Sequence, residues 1–205
     1  MHAERNREKT KREFYGMIQI IFSLTTIIAL AGLAIALCYG SLQIGDTVAG
    51  VVQNRFYGLH YNPNTMAFVA VVSLVGAEWI LRKRKNDPKG ILLPKWFLIA
   101  GSIINFVALM LTDSNASTIF LVVYLSILLF FKLFEKSTTF RLGRSIKKCL
   151  LWAVLAVGIL VAVYLVQHLI QIGYKDIRDF ITTVFPPNAL VPVSPDALDN
   201  AIGRS

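Results

Sequence analysis

Acidic residues, histidine and cysteine are all scarce in this 205-residue chain, which holds 12 Asp and Glu against 21 Lys and Arg, three His and two Cys. No Cys and His spacing of the metal-binding kind occurs, so the sequence offers no zinc finger or ribbon and no metal or other cofactor is expected. The two cysteines, Cys38 and Cys149, fall at opposite ends of apolar runs. They are separated by the ~30 Å of a bilayer core, too far for a disulfide. No basic patch interleaved with aromatics accompanies the net charge of +9, which argues against nucleic acid as a partner. There is no internal repeat and no low-complexity tract. The first apolar run is too long for a signal-peptide core and is not followed by a small-x-small cleavage site, so it reads as an uncleaved span.

What the chain has in abundance is apolar side chains, 55% of the total, with a positive mean hydropathy. They gather in five runs, residues 14–38, 65–81, 94–111, 118–134 and 149–172. Each run is near the ~20 residues that cross a bilayer. Without water, helix is the conformation that satisfies every backbone group within such a segment. The expected fold is therefore all-α, a polytopic transmembrane bundle of about five spans.

The basic residues alternate with these runs. Five lie in the N-terminal tail, six from Arg82 to Lys95 and six from Lys132 to Lys148, which puts 17 of the 21 on one side and leaves Arg55, Lys175, Arg178 and Arg204 on the other. By the positive-inside rule the first side is cytoplasmic. The N-terminus is then inside and the C-terminus outside. Residues 1–13 form a basic tail, 14–172 the transmembrane region and 173–205 the start of an extracytoplasmic loop. Basic clusters so close to span ends answer to anionic headgroups and to insertion, making the lipid bilayer the first expected partner.

Few polar residues interrupt the spans. Asn105, near the middle of the third, should seek an interhelical hydrogen bond. Glu78 precedes Arg82 by four residues and should pair with it, and His168 sits near the boundary of the fifth span as an interfacial side chain. The third and fourth spans are joined by a short polar turn, residues 112–117, so they should be antiparallel neighbours. Asp113 or Ser114 is placed to cap the fourth. Lys175, Asp176, Arg178 and Asp179 suit a turn of helix lying on the membrane surface. The proline-rich stretch from Phe185 to Pro195 reads as an extended connection.

Outside the basic side, hydrogen-bonding groups concentrate in the insertion at residues 53–64, where Gly58 permits a special backbone conformation and Asn62-Pro63 favours an extended lead into the second span. On composition it is a capped loop with aromatic anchors at the interface. His60 within it reads as an interfacial loop histidine, with a general-base role as the sharper option.

Arg55, Gly58 and Asn62-Pro63-Asn64 at the start of a span resemble the "R, G, then PN" motif of the O-antigen ligase and polymerase superfamily. Thr112-Asp113-Ser114-Asn115-Ala116-Ser117 is similar to that family's "T-x-S-R-small" turn, with Asn115 standing where the family often has Arg. Gly203-Arg204-Ser205 resembles the opening of its outer-loop segment beginning "GR". The resemblance implies a bacterial cytoplasmic-membrane glycosyltransferase that moves glycan from an undecaprenyl diphosphate carrier at the outer face, without a metal. It implies substrate-binding roles for Arg55, Gly58, Asn64 and Arg204, with Arg178 as a further cation, and a motif turn at Asp113, Ser114 and Asn115. It also implies further spans ahead of this stretch and a His-bearing loop beyond it, so that the chain reads as part of a longer protein. A permanently charged, forked guanidinium suits the charge that develops on a diphosphate leaving group. Two other classes compete: a lipid-linked sugar transporter, which would place ionisable groups near the midplane, and a non-enzymatic scaffold of envelope assembly.

Overall fold

The computed structural model describes residues 2–44, 47–52, 54–60, 62–86, 92–134 and 142–184. Five helices and a small sheet follow one another as α1 (His2–Cys38), β1 (Ser41–Ile44), β2 (Thr47–Val52), β3 (Arg55–Gly58), α2 (Pro63–Asn86), α3 (Lys95–Leu111), α4 (Asn115–Phe134) and α5 (Leu142–Val184). Four of the helices contain stretches long and apolar enough to cross a membrane, Lys9–Cys38, Pro63–Arg84, Asn115–Phe134 and Ile146–Val184, and α3 is a shorter apolar helix. Much of that apolar surface is uncovered. Leu150, Val154, Val157, Leu165 and Leu169 of α5 all point outward, as side chains bathed in hydrocarbon would. Length, composition and exposed apolar faces together mark a helical membrane protein.

The all-helical expectation needs one correction. Between α1 and α2 the chain forms a three-stranded antiparallel sheet in the order β1-β2-β3, with Ser41 opposite Gly50 and Val52 opposite Arg55. The register shifts between Gly50 and Val51. Gly50 has φ +98°, and a Cβ there would run into the Gly40 carbonyl. The bulge thus needs glycine and turns the sheet down onto the end of α1.

Helix ends follow local chemistry. Gly40, at φ +74°, stops α1 while its N–H still reaches Ala36 O at 3.1 Å, a left-handed cap of the usual kind. Asn62 begins α2: its Oδ1 accepts from Asn64 N at 2.7 Å and Pro63 occupies the first helical position, where no N–H is needed. Two other boundaries differ from the sequence reading. The basic tail continues the helix of α1 from His2. At the other end, α5 runs unbroken for 43 residues, about 65 Å, so Lys175 to Asp179 extend the last helix and do not form a separate surface turn.

Packing differs from expectation as well. The short turn after α3 suggested that α3 and α4 lie along each other, yet α3 packs on α1 and α2 while α4 packs on α5 and α2. One core cluster joins Ala67, Ala70 and Val71 of α2 to Leu109, Met110, Leu121, Val122 and Val163. Another joins Ala29 and Ala36 of α1 to Phe56 of β3, Met66, Ala108 and Leu111. Alanines at these contacts let backbones approach closely. Gly32 carries this furthest, because a Cβ there would lie 2.6 Å from Gly58 Cα.

Polar side chains tie the helices at two levels. Asn105 is fully buried, and the two N–H groups of its Nδ2 are shared among Thr26 Oγ1 of α1 at 2.9 Å, Gly101 O at 2.9 Å and the more distant Ser73 Oγ of α2 at 3.3 Å. This is the interhelical role its position called for. Nearer the basic end, Gln19 Oε1 accepts from Leu92 N at 2.7 Å and Leu93 N at 3.1 Å, which pins the approach to α3.

The contact of Gly32 with Gly58 generates a test. Gly32→Ala must push β3 off α1 and should cost about 1–3 kcal/mol, seen as a lower thermal unfolding midpoint in detergent. Gly158→Ala, where nothing lies within 4 Å of the added Cβ, should stay within about 0.5 kcal/mol of the parent. Equal midpoints for the two variants would refute this packing.

Candidate functional site

The sheet end of the bundle assembles most of the site residues expected from sequence. Arg55 opens β3, half-buried, and reaches across to the turn between α3 and α4. Its Nε donates to Thr112 O at 3.1 Å and its Nη2 to Asn64 Oδ1 at 3.1 Å. One guanidinium therefore joins the first motif segment to the second. Among the described residues two of its five N–H donors are used, and the other three meet no acceptor.

Gly58 closes the same strand at φ +62°, a left-handed conformation that favours glycine. Its backbone lies against Gly32, and Phe56 and Tyr57 of the strand are buried. These contacts fix the base from which Arg55 projects. Asn64 is held in turn by the Asn62 cap of α2.

Of the two residues expected to cap α4, Ser114 takes the position and Asp113 turns away. Asp113 adopts φ 54°, which an Asp tolerates better than most residues, and its carboxylate faces α5, where it accepts from Gln167 Nε2 at 2.8 Å and Gln171 Nε2 at 3.5 Å. Ser114 takes the position ahead of α4. Its carbonyl receives Thr118 N at 3.0 Å and its Oγ donates to Ser117 Oγ at 3.3 Å. Asn115 is the exposed first residue of α4.

Gln167 and Gln171 escaped the sequence reading, although a signal was present. With Tyr174 and Arg178 they repeat at intervals of four, three and four, one polar stripe along a face of α5. Tyr174 OH donates to Ala36 O at 3.0 Å. Arg178 lies against the end of α1, so close that a Cβ on Gly40 would come within 2.5 Å of its Nη2. A cation there complements the negative end of the helix dipole. Of the two cations in the stretch expected to lie on the membrane surface, Arg178 is half-buried against α1 and Lys175 is exposed. Arg204 and the proline-rich stretch lie outside the described residues.

Beside this polar cluster runs an apolar slot of about 320 Å³ between α1, α3 and α5, lined by Leu33, Leu37, Val107, Leu111, Ile170 and Tyr174 among others. Leu111 precedes Thr112, whose carbonyl holds Arg55, so the slot begins one residue from the guanidinium's anchor. Among the described residues no three His, Cys, Asp or Glu side chains converge as metal ligands.

His60 lies between β3 and α2, with its N–H on Tyr57 O at 3.0 Å. Its Nε2 is buried without a hydrogen-bond partner among the described residues, and burial pushes its pKa below the ordinary 6.5. Neutral imidazole is therefore the folded form near neutral pH. No described hydrogen bond links it to Arg55 or to the Asp113 turn.

Comparison with protein-family models, with curated proteins and with solved structures yields no match.

A histidine with a depressed folded pKa binds fewer protons folded than unfolded between that value and 6.5, so stability rises with pH across this window and is lost on acidification. Lowering the pH from about 7.5 to about 5.5 should reduce the thermal midpoint in detergent, and His60→Gln should flatten that dependence. An identical pH profile in the variant would show that His60 contributes nothing.

Proposed function

We propose that this chain is part of a membrane glycosyltransferase of the O-antigen ligase or polymerase type, acting on an undecaprenyl diphosphate-linked glycan at the outer face of a bacterial cytoplasmic membrane. The observation that supports the reading is that the Asn64 amide oxygen and the Thr112 carbonyl both accept from Arg55, so that segments 57 residues apart and resembling two motifs of one family meet at a single guanidinium. The topology that goes with it has five spans. At 17 residues, α3 is about 26 Å long and lies between two longer candidate spans, close to the ~30 Å it must cross. The distribution of basic residues then puts the sheet end outside.

In such a transfer the anomeric C–O bond to the diphosphate breaks as a new C–O bond forms to an acceptor hydroxyl, and negative charge grows on the departing diphosphate. Arg55 is suited to that charge. Its scaffold bonds to Thr112 and Asn64 orient the fork in advance, so little reorganisation is needed when charge appears. The three remaining N–H groups suit diphosphate oxygens, and the adjacent apolar slot suits the first isoprene units of the carrier. Asp113, held by two glutamines, positions the turn that presents the Thr112 carbonyl. Arg178 serves the end of α1 in this arrangement and is not assigned to the diphosphate.

Arg55→Lys in the full-length protein replaces the fork by a point charge that cannot keep both scaffold bonds and still meet the ligand. Loss of one charge-assisted contact, about 1.5–3 kcal/mol, should lower glycan transfer roughly ten- to hundredfold and weaken binding of undecaprenyl diphosphate to purified protein. Unchanged transfer at normal protein level would sink the proposal. A lowered thermal midpoint with unchanged lipid affinity would show that Arg55 is scaffold alone.

A further inference from the structure

The opposite end of the bundle holds a second cavity that the glycan reading does not use. Its volume is about 720 Å³, and it is lined by Arg82 of α2 and by Leu128, Phe130, Phe131, Lys132 and Phe134 of α4. Two cations and three phenylalanines thus share one cavity, and the like charges gain nothing from one another.

The surrounding contacts hold this lining in place. Glu78 pairs with Arg82 through Nε, and its other oxygen accepts from Tyr124 OH at 2.9 Å. Both carboxylate oxygens are thereby occupied. The Nε edge of the guanidinium is committed to Glu78, which leaves the Nη nitrogens for a ligand. On the far wall Phe130 stacks on Phe134 at 4.4 Å and meets Trp152 edge-on at 5.7 Å. Trp152 is itself tied to Ser126 O at 2.8 Å. A third cation stands at the rim, with Lys148 Nζ 5.4 Å from the centre of the Phe134 ring.

We infer that this cavity is a site for one anionic phospholipid, its phosphodiester held between Arg82 and Lys132 and its acyl chains lying along the exposed apolar face of α4. The charge complementarity is direct, since among the described residues the carboxylate paired with these cations is Glu78, whose oxygens are taken by Arg82 and Tyr124. The apolar part of the ligand is also accounted for. Phe131, Ile127 and Val123 repeat every four residues up α4 and are all exposed, giving a track that continues from the cavity into the bilayer. A free phosphate would leave that track and the phenylalanine floor unused. A zwitterionic lipid would bring its own ammonium against Lys132 and Lys148. The site stands whether or not the glycan reading does.

Native mass spectrometry of the purified chain released from bilayers of mixed phosphatidylglycerol and phosphatidylcholine tests this. Phosphatidylglycerol should remain bound in preference. Each basic contact near a membrane surface contributes about fivefold, so Arg82→Gln with Lys132→Gln should lower its occupancy about tenfold or more. Arg12→Gln, an exposed cation of α1 away from the cavity, should leave occupancy unchanged. Should the double variant lose helix by circular dichroism, Lys132→Gln alone, at an exposed position, is expected to give about a fivefold loss. Equal retention of the two lipids, full retention in these variants, or displacement of the lipid by excess inorganic phosphate would each overturn the inference.

Discussion

The absence of side chains at Gly32 and Gly58 is the constraint on which the sheet end of this protein depends. A single added carbon at Gly32 would meet the backbone of Gly58 at 2.6 Å, so β3 lies on α1 as closely as backbones allow. From that contact Phe56 reaches full burial among Ala29, Ala36 and Ala108. Arg55, one residue earlier, is then directed across α2 to the end of α3. Without the glycine contact the guanidinium would have no fixed base, and its two bonds to Thr112 and Asn64 would not form together.

Beyond that contact, polar groups select one arrangement of largely interchangeable apolar helices. Apolar association between helices in lipid is not specific in itself, because the tails are as apolar as the side chains. Gln19 near one end, Asn105 in the middle and Asp113 with Gln167 at the other each supply a directional bond that only one packing satisfies. Their placement explains why α3 belongs with α1 and α2, and why α4 is carried away to α5 despite a connection of three residues. The left-handed Asp113 is the swivel that permits this divergence.

The two ends of the bundle carry different chemistry. At the sheet end Arg55 is held by neutral oxygens next to an apolar slot, an arrangement suited to one strongly charged ligand group. At the basic end several cations lie beside aromatic rings, and among the described residues the carboxylate paired there, Glu78, is occupied by Arg82 and Tyr124.

Much of this was legible in the chain. Apolar runs of the right length locate the helices, because bilayer thickness and the need to satisfy backbone groups leave few options. Asn105 and the Glu78–Arg82 pair were readable from burial and from spacing of four. The sheet was not, since Thr47 to Val52 shows no strict alternation and its bulge depends on how Gly50 meets Gly40. Nor were the glutamine partners of Asp113, which lie more than fifty residues away in sequence. Composition and periodicity thus determined the helices, the sharing of charge between the ends and the residues worth watching. Only tertiary structure decided that Arg55 joins two distant segments and that Arg178 stands apart at the end of α1. Such convergence rests on close backbone approach and on single hydrogen bonds, neither of which has a signature in local sequence.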